Sequence, residues 1–303
     1  MARLASLLLP LLLAAVALPA RADLASALDA HPGGAALRAL AREGRELERA
    51  DQLAASADRF ERLAGALPAE PEPLWRLARL AWRHSERLPV ASEEARLAGF
   101  RRAEAFARAS LALDARCAEC MFWLAAALGR ITTTQGVIES ARLAPVIADL
   151  LGRAIALEPA GRESADDTTL GNLYHYAAAF YRIVPEWIWL SWVLGVRGDK
   201  ERSVEYSRRA VAISPARLDY QVELGAGLLC LGTARRRADL LEEGAAVLRH
   251  SETLAPFAEA RIDRALARVL LERPERACAY ARDGWIDIDE ADVAAHAGRP
   301  AGR

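Results

Sequence analysis

The sequence predicts an all-α solenoid of about five helix pairs with two inter-helix insertions. A Leu followed by a small residue recurs inside apolar helical stretches at intervals of roughly fifty residues, as Leu77-Ala78, Leu124-Ala125, Leu170-Gly171 and Leu224-Gly225, with a weaker copy at Leu266-Ala267. Each pair is followed by a second helical stretch rich in small residues, which closes on a similar phrase: Leu113-Asp114, Leu157-Glu158-Pro159, Ile213-Ser214-Pro215 and Leu254-Ala255-Pro256. With 53% hydrophobic residues over 303 positions, such an array can bury a large core as a continuous strip between neighbouring units.

The elements follow in order. The stretch from Leu24 to Leu67 has Leu37, Leu40, Leu47, Leu53, Phe60 and Leu63 at mostly helical spacings and supplies the first pair. The Pro-rich phrase from Pro68 to Pro73 breaks it and opens the next helix, because proline is tolerated in a first turn but not in an interior. That helix runs to about Arg87 with Trp75 and Trp82 on one face. Its partner runs from about Glu93 to Leu113, with Ala103, Phe106 and Ala107 inward so that two axes approach closely. The third pair begins near Cys120 and meets Ile131-Thr132-Thr133-Thr134-Gln135-Gly136, poor helix formers that predict an insertion before a partner helix from about Arg142 to Leu157. The fourth pair starts after Asp166-Asp167, whose charge suits a helix N-terminus. A second insertion, Pro185 to Gly198, precedes the helix from Asp199 to Ile213. A fifth pair covers about Arg217 to Leu254, and a helix from Phe257 to Leu271 is expected as a cap.

The ends carry a different message. Met1-Ala2-Arg3, the apolar run from Leu4 to Pro19 and Ala20-Arg21-Ala22 read as a signal peptide over residues 1–22, cleaved before Asp23, so the chain is expected to be periplasmic or secreted. The repeat domain then spans residues 23–279, and residues 280–303 read as a mobile C-terminal tail. Charge is balanced, with 40 Lys and Arg against 41 Asp and Glu, and the charges are interspersed along helices rather than gathered in basic blocks. That distribution argues against nucleic-acid binding.

A small residue after Leu, a small-residue second helix and a closing Pro resemble tetratricopeptide repeats, with a period lengthened by long helices and insertions. Over about Leu74 to Gly232 the likeness is more specific. The phrases Leu74-Trp75-Arg76-Leu77-Ala78-Arg79, Phe122-Trp123-Leu124, Leu128-Gly129-Arg130 and Gly136-Val137-Ile138, with the aromatic insertion at Pro185, resemble the regulator of microtubule dynamics family and its bacterial relatives. More distantly they resemble the tetratricopeptide component of tripartite (TRAP) transporters. The resemblance implies a non-enzymatic helical scaffold. The insertion is Trp-rich where the family's is usually more basic, so a shared partner does not follow.

With each Leu-small pair as a ruler, the expected groove residues are Trp75, Arg79, Trp82 and Arg83, then Phe122 and Arg130, then Asn172, His175 and Tyr176. Arg forks grip carboxylates and aromatics supply contact area, so this set suits a peptide or carboxylate; equally, the aromatics fill gaps between repeats and the arginine stems cover them. Trp187, Trp189 and Trp192 of the second insertion are three of the seven Trp. They suit a lid, a docking element or a membrane-surface contact, or a plug folded back into the solenoid. Cys117 and Cys120 form the one short-range cysteine pair and read as a local disulfide or two buried thiols. A zinc site lacks a second nearby pair, and haem attachment lacks a His where Met121 stands.

No phosphate-cradling loop ending in Lys, no H-E-x-x-H and no G-x-S-x-G elbow occurs in the sequence. The expectation is a non-enzymatic exported scaffold without cofactor or metal, binding a protein or peptide partner in its groove. The alternative is an accessory of a solute transport system, with Arg79, Arg83 or Arg130 gripping an organic acid.

Overall fold

A computed structural model describes residues 24–89, 92–135, 137–254 and 261–279. The expected signal peptide and C-terminal tail lie outside these residues, as do Gly136 and the first residues of the expected cap helix, Phe257 among them. Thirteen α-helices follow one another among the described residues: α1 (Leu24–Ala30), α2 (Gly34–Arg49), α3 (Leu53–Ala66), α4 (Pro71–Arg87), α5 (Glu93–Leu113), α6 (Ala118–Gln135), α7 (Val137–Ala156), α8 (Thr169–Ile183), α9 (Ile188–Leu194), α10 (Lys200–Ile213), α11 (Leu218–Arg235), α12 (Ala238–Ser251) and α13 (Arg261–Glu272). A 3-10 turn, Pro274–Arg276, closes the series. Extended pairing among the described residues is limited to an isolated bridge between Arg162 and Thr168. The five pairs are α2 with α3, α4 with α5, α6 with α7, α8 with α10, and α11 with α12, each packed on the next in chain order.

The Leu-small pairs mark the close crossings. Ala78, Ala125, Gly171, Gly225 and Ala267 are all buried in the first helices of their units. At Gly225 an added Cβ would sit 2.5 Å from Leu248 Cγ of α12, so the crossing of α11 with α12 requires a residue without a side chain. First helices sandwiched between neighbours are buried nearly all round: α11 is buried from Leu218 to Gly232. The core is a strip rather than a ball. Phe60, Leu63, Leu77 and Leu80 form one cluster, Phe100, Leu124, Leu128 and Leu173 the next, and Phe106 packs against both.

Residues 131–135 of the first expected insertion are realised as helix. Ile131–Gln135 continues α6, and α7 starts at Val137 rather than near Arg142, with Pro145 in its interior. The threonines tolerate this because their hydroxyls bond back within the helix, Thr132 to the Gly129 carbonyl at 2.6 Å and Thr134 to the Arg130 carbonyl at 2.9 Å. The unit is lengthened by extra turns instead of a loop.

The second insertion is an excursion whose ends meet. Gly198 N–H donates to the Pro185 carbonyl at 2.9 Å, and a Cβ on Gly198 would lie 1.8 Å from the Val184 carbonyl oxygen. Within it α9 ends at Gly195, whose φ of 70° is the left-handed value that favours glycine. Asp199 then caps α10, its carboxylate accepting from Arg202 N–H at 2.9 Å.

Candidate functional site

The nine expected groove residues divide between three places. Arg79 and Arg83 belong to a stripe on α4 that begins at Arg76, three positions that share one helix face. Glu48 of α2 serves all three: Arg79 at 2.7 Å, Arg83 at 3.2 Å and Arg76 at 3.8 Å. Arg76 also binds Glu72 at 2.7 Å and Glu163 at 3.1 Å, and Arg79 reaches Asp167 at 3.5 Å. This network ties α2 and the 158–168 connection to α4. Burial pushes the Glu163 carboxyl up, but Arg76 and Arg79 outweigh it and hold the group below the ordinary glutamate range. Asn172 extends the network, donating to Asp167 at 2.7 Å and accepting from the Tyr220 hydroxyl at 2.7 Å.

Trp75 and Phe122 are core. Trp75 packs with Cys117, Cys120 and Trp123, and Phe122 meets Trp123 and Tyr176 edge-on at 4.9 and 5.0 Å. Cys117 and Cys120 are joined as a disulfide at the start of α6, and a second disulfide joins Cys230 of α11 to Cys278, a pairing not evident in the sequence.

The other four, Trp82, Arg130, His175 and Tyr176, line one cavity of about 240 Å³ between α6, α7 and α8. Its walls are mainly apolar, with Ala126, Ile147, Leu151 and Phe180 among them. Arg130 lies over the Trp82 ring at 5.8 Å and is clamped to Glu86 at 2.5 Å. His175 stacks on Tyr220 with centroids 5.2 Å apart.

Sequence reasoning missed several contributors. Arg182, Glu223 and Asp263 also line the cavity, and Arg182 binds Glu223 in a fork at 2.7 and 2.8 Å. So does Gly129, where a Cβ would touch nothing within 4 Å. The ruler did contain that signal. Trp82, Gly129 and His175 each stand five residues after the Leu of their unit, so the space exists where the middle unit carries no side chain.

The Trp-rich insertion does not plug the solenoid. Trp187, Ile188, Trp189, Trp192 and Val193 are all more than half exposed, Trp192 at 83%, while Leu190 faces inward. Trp187 and Trp189 stack on each other at 5.6 Å. Ion pairs anchor its base: Glu186 binds Arg235 at 2.9 Å and Lys200 at 3.5 Å.

Residues 43–177 match the family of regulator of microtubule dynamics protein 1-3. The chain is a tetratricopeptide-like protein related to that family. The match takes in Trp82, Arg130, His175 and Tyr176 and stops short of the α9 insertion. A crystal structure of a thermophilic TPR protein in Thermus thermophilus is similar in fold, with a TM-score of 0.51 at 17% identity, covering 77% of this chain and all of that one. MamA from residue 41 to its end, from Desulfovibrio magneticus, aligns with a TM-score of 0.43 at 14% identity, over 72% of this chain and 97% of that one. No curated protein matches the chain. Among the described residues no helix is long and apolar enough to cross a membrane.

Proposed function

We propose that the protein is an exported, non-enzymatic scaffold that docks a protein partner through the α9 insertion. The carrying observation is the exposed apolar face of Trp187, Ile188, Trp189, Trp192 and Val193. A contiguous patch of this kind on a soluble chain marks an interaction surface, and Trp is the residue most enriched where binding energy concentrates. The insertion lies outside the stacking of the repeats, so these side chains are not required by the solenoid itself. The partner surface is apolar, with a recess for an indole. Export draws support from residues 1–22 and from the two disulfides, which suit an oxidising compartment.

The groove expected from the sequence is less suited to this role, because Arg79, Arg83 and Arg130 are each held by internal carboxylates. The same pairing weighs against organic-acid uptake, since a ligand carboxylate would have to displace Glu48 or Glu86. A photo-crosslinking residue in place of Val193 tests the docking reading in cells. One reproducible protein adduct, lost when Trp187 and Trp192 are both changed to Ser, supports it. Adducts that survive those substitutions, or adducts to lipid alone, overturn it.

A further inference from the structure

The docking face and the cavity between α6, α7 and α8 adjoin. Ile183 and Val184, at the end of α8, line the cavity, and the chain passes from them into the insertion, whose helix α9 rests on α7, itself a wall of the cavity. The cavity opens to solvent: Thr133 and Ile183 both line it and are exposed, Ile183 at 42%. An apolar cavity of about 150 Å³ takes a single benzene ring, so the 240 Å³ here matches a fused-ring side chain such as an indole. Small lining residues keep that space clear. Ala125, Ala126 and Ala179 are among them, and a Cβ at Gly129 would meet no neighbouring atom within 4 Å. Two lining hydroxyls, those of Thr133 and Ser140, already donate to backbone carbonyls at 3.1 and 3.2 Å and keep lone pairs for an incoming indole N–H.

An indole of this kind stands beside the recess on the same chain. Trp192 is 83% exposed and makes no ring contact among the described residues, whereas Trp187 and Trp189 stack on each other. Residues 187–196 carry no charged side chain, so two such faces meet without like-charge repulsion. The area is also sufficient. At these exposures the three indoles present about 400 Å², and Val146, Ile183, Ile188 and Val193 extend the face toward the roughly 800 Å² that each partner of a specific interface buries. We propose that the partner docked by α9 is a second copy of this chain, with Trp192 of each copy seated in the cavity of the other. Knob and recess adjoin, so one two-fold rotation supplies both contacts at once and closes the pair. The proposal rests on the docking reading and names what docks.

Sedimentation velocity of the protein purified from cells reads the association. A reversible dimer is expected between about 1 and 100 micromolar. Trp192→Ser removes the knob and Gly129→Leu fills the recess, and each is expected to weaken the dimer by about tenfold or more. An equimolar mixture of the two variants is expected to form a heterodimer more tightly than either forms a homodimer, because the first keeps its recess and the second its knob. A benzophenone side chain in place of Trp192, with one copy isotope-labelled, is expected to join labelled to unlabelled chain within α6, α7 or α8. A chain that stays monomeric at the top of that range overturns the proposal. So does a folded Gly129→Leu that dimerises like the parent, a mixture no tighter than its components, or adducts at position 192 confined to α9 of the second copy. Should Gly129→Leu not fold, the position of the adduct decides. A monomeric chain whose Val193 adduct in cells is a different protein overturns the self-pairing and leaves docking through α9 standing, whereas a dimer indifferent to Trp187→Ser with Trp192→Ser overturns both.

Discussion

Arg182 and Glu223 meet through two parallel hydrogen bonds across the junction of α8 with α11, with 1% of the arginine side chain and 4% of the glutamate exposed. The same guanidinium donates to the Ala277 carbonyl at 2.7 Å, so one side chain joins α8, α11 and the turn after α13. Glu223→Ala strands a buried cation and is expected to cost about 3–5 kcal/mol of stability. The double change Arg182→Met with Glu223→Leu is expected to cost less than that single one, which urea unfolding of the three proteins measures.

The two disulfides are expected to contribute unequally. Cys230 and Cys278 are 48 residues apart, a loop whose closure is worth about 4 kcal/mol on the chain-entropy account, whereas Cys117 and Cys120, 3 apart, are worth about 2 kcal/mol. Melting curves of Cys230→Ser with Cys278→Ser and of Cys117→Ser with Cys120→Ser, against the oxidised parent, check the ranking.

Two glycines on first helices are expected to respond to alanine in opposite senses. At Gly129 a methyl meets nothing, so removing unfolded-chain freedom stabilises the protein by about 0.4–1 kcal/mol. At Gly225 the methyl collides with buried Leu248, and the expected loss is about 1–3 kcal/mol. Thermal or urea unfolding of the two variants reads both signs.

Glu163 makes stability depend on acid. Its carboxyl is held low by Arg76 and Arg79 against the opposing effect of burial, so its contribution is complete above the ordinary glutamate range and is lost as pH falls through the depressed folded value. The stability gap between the parent and Glu163→Gln is expected to be flat from neutral pH down to that range and to shrink below it. Paired melts across the acid range measure the gap; one that widens in acid contradicts the assignment.

Trp192 is expected to be dispensable for folding. At 83% exposure, its change to Ser should alter unfolding free energy by less than about 0.5 kcal/mol while reducing the binding of an apolar dye. A large destabilisation would show that the indole packs against the solenoid.

Local pattern carried most of the architecture. The ruler of Leu-small pairs located the paired helices because each pair records a crossing, and the crossing at Gly225 needs the missing side chain that the sequence displays. It failed at Thr132 to Thr134, where propensity argues against helix but hydroxyls bonding to carbonyls one turn back make helix acceptable.

The site was less legible, because ion pairing is long-range. Arg79 reads as a groove residue until Glu48 on the preceding pair and Asp167 on a distant connection are seen to hold it. Arg182, near the C-terminus of α8, looks like a solvated cation suited to a helix end, and nothing nearby in sequence announces Glu223, 41 positions on. For α9 the cost of exposed indoles suggested a plug, yet the short helix packs inward through Leu190 and leaves Trp187, Trp189 and Trp192 at its surface.

A linear array is held unit by unit, and its two termini need not be alike. Cys278 is bonded to α11 and Ala277 is gripped by Arg182, whereas α1 rests chiefly on α2. The described array therefore has a mechanical polarity: traction applied at α1 would peel helices away in succession, while traction at Cys278 loads a covalent bond and shares the force with the middle of the molecule.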